Sequence, residues 1–139
     1  MDKWIIAENS ENEPMLDLLM RNRGIIDDIA IEKYLHGGIS DLYFPDLMKG
    51  IQKAGELLFN KIREKKHIRI IGDYDVDGVM ASYILQTGLK RLGAICDAKI
   101  PNRVVDGYGL NGKLVCQSYL DGIDTIVTCD NGIAASDWI

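Results

Sequence analysis

The sequence predicts an α/β fold in which a parallel sheet of Rossmann-like βαβ units follows a helical leader. Three short apolar runs, at 68–71, 94–100 and 125–129, have the β-branched residues and the length that favour strands. Segments with the apolar spacing of helices lie between them, at 79–92 and 111–120. The buried side of the first of these helices is expected to include Met80, Tyr83, Ile84, Thr87 and Leu89. Strands that alternate with helices of this length are typical of a parallel sheet, because each crossover needs a helix to return the chain.

The predicted boundary lies between a helical leader, residues 1–66, that packs on the sheet and the sheet domain, residues 67–139. The region 4–36 reads as helices with breaks, and the leader as a whole is expected to contain helices at 14–20, 25–35 and 46–65. Pro45 is suited to the first turn of the last helix, where its missing N–H costs nothing. The apolar residues of that helix, spaced by three or four, are expected to face the core: Leu47, Ile51, Ala54, Leu58 and Ile62.

The composition is that of one globular domain. The chain has 139 residues, 47% of them hydrophobic, and a formal net charge of −5. That charge disfavours a protein that holds nucleic acid by bulk electrostatics alone. No apolar segment approaches the roughly 18 residues that would span a membrane, and the first residues have no signal-peptide pattern. We therefore expect no membrane association and a cytoplasmic location.

A basic run joins the end of the long helix to the first strand, and its members are Lys61, Arg63, Lys65, Lys66, His67 and Arg69. One interpretation is that these cations complement the negative end of the helix dipole. The other is that they form a phosphate-facing patch. The sequence leaves both open.

An acidic loop follows the first predicted strand. Asp73, Asp75 and Asp77 occupy alternate positions before Gly78, and carboxylates this dense repel one another unless a cation or several donors neutralise them. Asp130 follows the third strand, so a parallel sheet would bring all four carboxylates to the edge where its strands end. The loop that contains Arg103 should open at the same edge, which predicts a cation site beside a phosphate-binding arginine.

The acidic loop has three other interpretations. An EF-hand fails because Ile84 stands where the bidentate glutamate belongs and a strand, rather than a helix, precedes the loop. A phosphotransferase of the haloacid-dehalogenase type would use Asp75 as nucleophile and Asp77 as acid/base. In that motif an apolar strand runs up to the nucleophile, whereas here residues 72–74 are Gly-Asp-Tyr, which disfavours this interpretation. A solvated loop that caps the next helix through Asp77 would leave the third carboxylate without a role.

The chain contains three motifs in succession: IGDYDVDG at 71–78, IPNRVVDGYGL at 100–110 and TCDNGI at 128–133. Together and in this order they resemble the motifs of the DHH phosphoesterase family, most closely its branch of RecJ-type single-stranded-DNA-specific exonucleases. The leader is also similar to that branch, so the resemblance covers nearly the whole chain. It implies a two-metal phosphodiesterase or nuclease, with Mn²⁺ or Mg²⁺, that acts on the 5′ ends of single-stranded DNA in repair and recombination.

The resemblance also implies roles for individual residues. Asp75, Asp77 and Asp130 would be catalytic metal ligands, and Asp73 a ligand or a supporting residue. The predicted substrate phosphate site comprises Arg103, Tyr108, Asn131 and Gly132. Oxygen ligands of this kind suit manganese and magnesium. Tyr108 could stack on a base or a sugar, or simply pack its loop.

The sequence departs from the family in lacking the Asp-His-His triplet; its two histidines, His36 and His67, lie outside the motifs. The chain is therefore expected to be an amino-terminal fragment with a truncated DHH domain, at most a partial metal site, little activity alone and a tendency to self-associate. Two alternatives stay open: a phosphodiesterase of the same family for short oligonucleotides or cyclic dinucleotides, and a non-catalytic binding or regulatory module with a vestigial metal site.

Overall fold

The computed structural model describes residues 14–138, which divide after Lys49 into two compact units. The part of the predicted leader at residues 1–13, and Ile139, lie outside the described residues. The division predicted at residue 66 stays a prediction. Among the described helices, none has the length and apolar character needed to cross a membrane.

The first unit contains two short helices, α1 at Met15–Arg21 and α2 at Asp28–His36, followed by two 3₁₀ turns, Ile39–Asp41 and Pro45–Leu47. Asp27 caps α2, because its side chain accepts a hydrogen bond from the backbone N–H of Ala30 at 2.9 Å. Both short helices were predicted from the apolar spacing.

The long helix predicted at 46–65 is shorter, with α3 running from Ile51 to Arg63. Gly50 adopts the left-handed conformation with φ 80°, which separates the 3₁₀ turn at Pro45 from α3. The prediction of its core face was therefore wrong in its first half: Leu47 is 68% exposed, and Ala54 is exposed as well. Ile62 is buried, and Leu58 packs beside it.

The second unit, which begins at Gly50, is built on a parallel sheet with strand order β2-β1-β3. β1 comprises His67–Ile71, β2 Ile95–Lys99 and β3 Thr125–Thr128. The crossover helices are α4 at Val76–Arg91 and α5 at Gly112–Leu120. Ile70 in the central strand pairs with Ala98 on one side and Val127 on the other. The predicted α/β class and its parallel sheet are confirmed.

Helices cover both faces of β1. On one face Ile68 and Ile70, both fully buried, pack with Ile62 of α3 and Leu89 of α4. On the other face Ile71 packs with Leu114 of α5 and with the preceding loop. Since successive side chains of a strand point to opposite faces, this alternation fixes which helix lies where. The ends of β1 and β3 are thereby held side by side.

The buried face of α4 differs from the predicted one. Met80, Tyr83 and Ile84 were expected to be buried and are 50%, 63% and 65% exposed. Leu89 was also expected on the buried side and is buried as predicted, and the other buried residues of the helix are Gly78 and Ser82. Small residues are needed there because the first turns of α4 approach the backbone of the acidic loop closely. The apolar outer face of α4 is compatible with self-association, which stays a prediction.

Arg69 is the one charged residue buried within the described strands. Its guanidinium donates two hydrogen bonds of 2.8 Å to Asp97 on the neighbouring strand and a third to Asp121. This pairing holds the pKa values of both Asp97 and Asp121 below the ordinary carboxyl value. Arg69 thus joins β1 and β2 to the end of α5.

We expect Arg69→Ala to lower the free energy of unfolding by about 2 kcal/mol, less than for a fully buried pair because both carboxylates are partly exposed. The contribution should be present at neutral pH and disappear as the pH falls below about 4, since protonation of Asp97 and Asp121 ends the pairing. Urea unfolding at several pH values measures this. The pair of Lys113 with Asp106, in which the lysine is largely exposed, offers a control, and Lys113→Ala should change stability by less than about 1 kcal/mol.

Candidate metal centre

The acidic loop turns sharply away from the end of β1. Gly72 and Asp73 are buried directly after the strand, and Asp73 is only 4% exposed. A Cβ atom on Gly72 would lie 2.0 Å from Ser82 Oγ, and one on Gly78 would lie 2.6 Å from three atoms of Asp73. The first turn of α4 therefore rests directly on the backbone of the loop, and glycine at both positions makes that approach possible.

Asp75 is the N-cap of α4. Its side chain accepts a hydrogen bond of 2.9 Å from the backbone N–H of Gly78. The interpretation in which Asp77 caps this helix is therefore wrong: Asp77 lies within the first turn of α4. A carboxylate at the N-cap is favoured by the free N–H groups and by the positive end of the helix dipole. The same group remains available to a cation through its other oxygen lone pairs.

Asp130 follows β3 in a strained turn. Its φ is 58°, in the left-handed region that aspartate tolerates better than most residues. The side-chain amide of the next residue, Asn131, donates hydrogen bonds to the carbonyls of Ile71 at 3.2 Å and Cys129 at 3.1 Å. These bonds tie the end of β3 to the end of β1 and hold Asp130 beside the acidic loop.

The two strand ends bring three carboxylates together. Asp73, Asp75 and Asp130 each offer an oxygen, and the three oxygens lie within 4.8 Å of one another. The pKa of Asp130 is raised, chiefly by desolvation and then by the negative charges of the other aspartates at this edge, including Asp77. Asp77 is not a member of the three-carboxylate group, and its role as a ligand stays a prediction.

The residues present fit a divalent cation. Among the described residues, two buried side-chain acceptors have no hydrogen-bond partner, Asp73 Oδ1 and Asn131 Oδ1. Buried acceptors without a partner are costly, and a cation among the carboxylates would offset both that cost and their mutual repulsion. An all-oxygen donor set suits manganese or magnesium. The group contains no histidine, and His67 lies at the start of β1, where it contacts Asp97.

An aromatic and cationic cluster is formed by Tyr74, Tyr108 and Arg103. The rings of Tyr74 and Tyr108 meet edge to face with centroids 6.2 Å apart, and the Arg103 guanidinium lies 5.2 Å from the Tyr74 centroid. Desolvation raises the pKa of Tyr108, and the charges of Asp73 and Asp130 add to that increase. This cluster therefore lies near the carboxylate group, and the substrate-binding roles of Arg103 and Tyr108 stay predictions.

Tyr74 was missed by the sequence reasoning, although its position between Asp73 and Asp75 could have drawn attention to it. The role of Asn131 in phosphate binding also stays a prediction. Its amide donor is already used by two backbone carbonyls, so its predicted contact with a substrate phosphate would need its backbone N–H. Gly132 has φ 98° and packs against Thr128; its phosphate contact likewise stays a prediction.

Residues 67–139 match the family described as "DHH family, N-terminal domain". The single-stranded-DNA-specific exonuclease RecJ of Escherichia coli strain K12 is 34% identical over 127 residues, which cover 91% of this chain and 21% of that protein. Its counterpart in Thermus thermophilus is 41% identical over 86 residues, which cover 62% of this chain and 13% of that protein. The chain thus spans about a fifth of the length of such relatives.

Two solved structures share this fold. The exonuclease RecJ bound to manganese matches with a TM-score of 0.58 at 41% identity, over 62% of this chain and 22% of that one. RecJ of Thermus thermophilus in complex with Mn²⁺ matches with a TM-score of 0.55 at 30% identity, over 86% of this chain and 16% of that one. Both of these relatives hold manganese.

Proposed function

Because this chain belongs to the DHH family, we propose that it supplies the carboxylate ligands of a metal-dependent phosphodiesterase that removes nucleotides from the 5′ end of single-stranded DNA. The observation that carries the proposal is the group of three carboxylate oxygens within 4.8 Å at the ends of two adjacent parallel strands. A relative named as a single-stranded-DNA-specific exonuclease matches 91% of the chain. Manganese is the proposed ion, since both solved relatives contain it.

Asp75 and Asp130 would hold the ion, with the buried Asp73 as a third ligand or as a support, and Asp77 as a further ligand. When bound, divalent ions supply Lewis acidity and charge neutralisation to the phosphodiester. The chain itself positions the carboxylates. The N-cap hydrogen bond of Asp75 and the hydrogen bonds that the Asn131 side-chain amide donates orient them before any ligand binds.

Arg103 would bind the terminal phosphate of the strand. A guanidinium can donate two parallel hydrogen bonds to phosphate oxygens, which an ammonium does less well. Arg103 is exposed beside the carboxylates, and its guanidinium lies over the ring of Tyr74. Tyr108 is 67% exposed and offers a ring face to the terminal base. A cytoplasmic location and a part in DNA repair and recombination stay predictions.

The test is a binding experiment, because a carboxylate group without histidine is expected to hold manganese weakly and to support slow cleavage at most. Single strands with a 5′-phosphate or a 5′-hydroxyl are titrated with the chain, with and without Mn²⁺. In the presence of Mn²⁺ we expect the 5′-phosphorylated strand to bind at least about tenfold more tightly than the 5′-hydroxyl strand, in line with one or two charge-assisted hydrogen bonds from Arg103 to the terminal phosphate. Arg103→Ala should abolish that preference, and Arg103→Lys, which keeps the charge, should retain part of it. Equal binding of both strands, with or without Mn²⁺, would contradict the proposal.

A further inference from the structure

The edge of the sheet opposite the carboxylates is basic. α3 and α4 both end there, because Ile62 and Leu89, close to their carboxyl ends, pack with Ile68 near the start of β1. The cations at these two helix ends form what we call the basic edge: Lys61, Arg63, Lys65, Lys66, Lys90 and Arg91. A five-residue strand separates it by about 17 Å from the acidic loop.

Most of these charges are not neutralised by the chain. Lys61 pairs with Asp124 at 2.6 Å. In the region that the structure describes, Lys65, Lys66, Lys90 and Arg91 have no carboxylate partner within 4 Å, and all four are exposed. This concentration of positive charge is notable in a chain whose net charge is −5. Its field extends over about a Debye length, roughly 8 to 10 Å at moderate salt, so it acts on what lies against this edge.

Helix dipoles do not account for the whole patch. A cation in the last turn stabilises a helix by about 0.3–1 kcal/mol, and each helix already has two within its last turn, Lys61 and Arg63 in α3 and Lys90 and Arg91 in α4. Lys65 and Lys66 lie beyond the end of α3, in the turn that Lys65 forms with φ 55°. Their mutual repulsion would be relieved by a polyanion.

An exposed aromatic ring accompanies the charges. Phe59 is 59% exposed, and the Arg63 guanidinium lies 6.0 Å from the centre of its ring. A ring beside cations is the combination that binds single-stranded nucleic acid without sequence preference, because bases stack on the ring while phosphates meet the charges. An acidic peptide would use the cations but would leave the ring without a partner.

We propose that the basic edge binds the phosphate backbone of single-stranded nucleic acid, as a second contact surface remote from the carboxylate group. Nucleic acid is favoured over an acidic peptide by the exposed ring of Phe59 and by the substrate class of the proposed function, on which this inference therefore rests in part. The surface itself needs no metal, so its binding is separable from that of the carboxylates. It would hold a strand whose end is engaged elsewhere, or retain one after a nucleotide is released.

Fluorescence anisotropy of a labelled oligothymidylate in EDTA and low salt tests this proposal on the whole chain. Lys66→Glu/Arg91→Glu should weaken binding at least tenfold and reduce the dependence of log affinity on log salt by about 1 to 2. The double variant Lys49→Glu/Lys53→Glu is the control. It makes the same change of charge just before α3 and in its first turn, and should alter the affinity less than twofold.

Phe59→Ser should weaken binding severalfold and leave the salt dependence of the affinity unchanged. Circular dichroism confirms that each variant is folded.

Several results would overturn the inference: no metal-free binding by the parent chain, equal losses in the control, or binding of polyglutamate in place of DNA. Loss of metal-free binding in Lys66→Glu/Arg91→Glu with Mn²⁺ uptake intact would support the basic edge whatever the fate of the proposed function. If Mn²⁺ uptake fails while metal-free binding persists, only the proposed function is contradicted.

Discussion

Gly78→Ala is expected to destabilise the chain by about 1–2 kcal/mol and to reduce Mn²⁺ uptake as well. The added Cβ would lie 2.6 Å from the Cα, Cβ and N atoms of Asp73, and no flexible side-chain end is available to move aside. Asp73 is buried, so the loop has no room to retreat. Overpacking of this kind costs about 1–3 kcal/mol, and the better helix propensity of alanine recovers at most about 1 kcal/mol.

Gly88→Ala is the matched control, because it lies in the same helix with nothing within 4 Å of the added Cβ. It should stabilise the chain by about 0.5–1 kcal/mol. Urea unfolding measures the change in the free energy of unfolding for each variant, and the two changes should have opposite signs. Titration with Mn²⁺ shows whether the loop has moved. If Gly78→Ala were as stable as Gly88→Ala, the close approach of α4 to the loop would be wrong.

The strands and the site edge could be predicted from local pattern. The runs at β1 and β3 are short, rich in β-branched residues and followed within two residues by aspartate, and a parallel sheet must gather such residues at one edge. The start of α3 could not be predicted in this way. Pro45 begins a 3₁₀ turn as readily as an α-helix, and only the left-handed Gly50 determines where α3 starts.

The face of α4 was mispredicted because apolar periodicity measures hydrophobicity and not the distance between backbones. Gly78 and Ser82 face inward because the helix touches the acidic loop, and neither residue contributes to an apolar pattern. The N-cap was misassigned for a related reason. Asp75 and Asp77 are equally good caps by residue type, and the choice between them depends on the residue at which the loop reaches helical dihedral angles.

A substitution at Asp75 can separate two roles, because this residue both caps α4 and belongs to the carboxylate group. Asp75→Asn keeps a side-chain oxygen that accepts from the Gly78 N–H, and asparagine is as good an N-cap as aspartate. We therefore expect the metal-free variant to remain within about 1 kcal/mol of the parent, or to exceed it, since one negative charge beside Asp73 and Asp130 is removed. The raised pKa of Asp130 should fall towards its ordinary value for the same reason.

Asp75→Asn should weaken metal binding, although it leaves the stability of the metal-free chain unchanged or higher. Losing a supporting residue usually weakens a metal site by 10–100-fold, so removal of a direct ligand should weaken Mn²⁺ binding by at least about 100-fold in calorimetric titration. Asp27→Asn is the control, because Asp27 caps α2 through the same kind of bond and is not in the carboxylate group. It should leave Mn²⁺ uptake unchanged. If Asp75→Asn retained the parent's Mn²⁺ affinity, Asp75 would be a helix cap only, and the candidate metal centre would lose one of the two residues assigned to hold the ion.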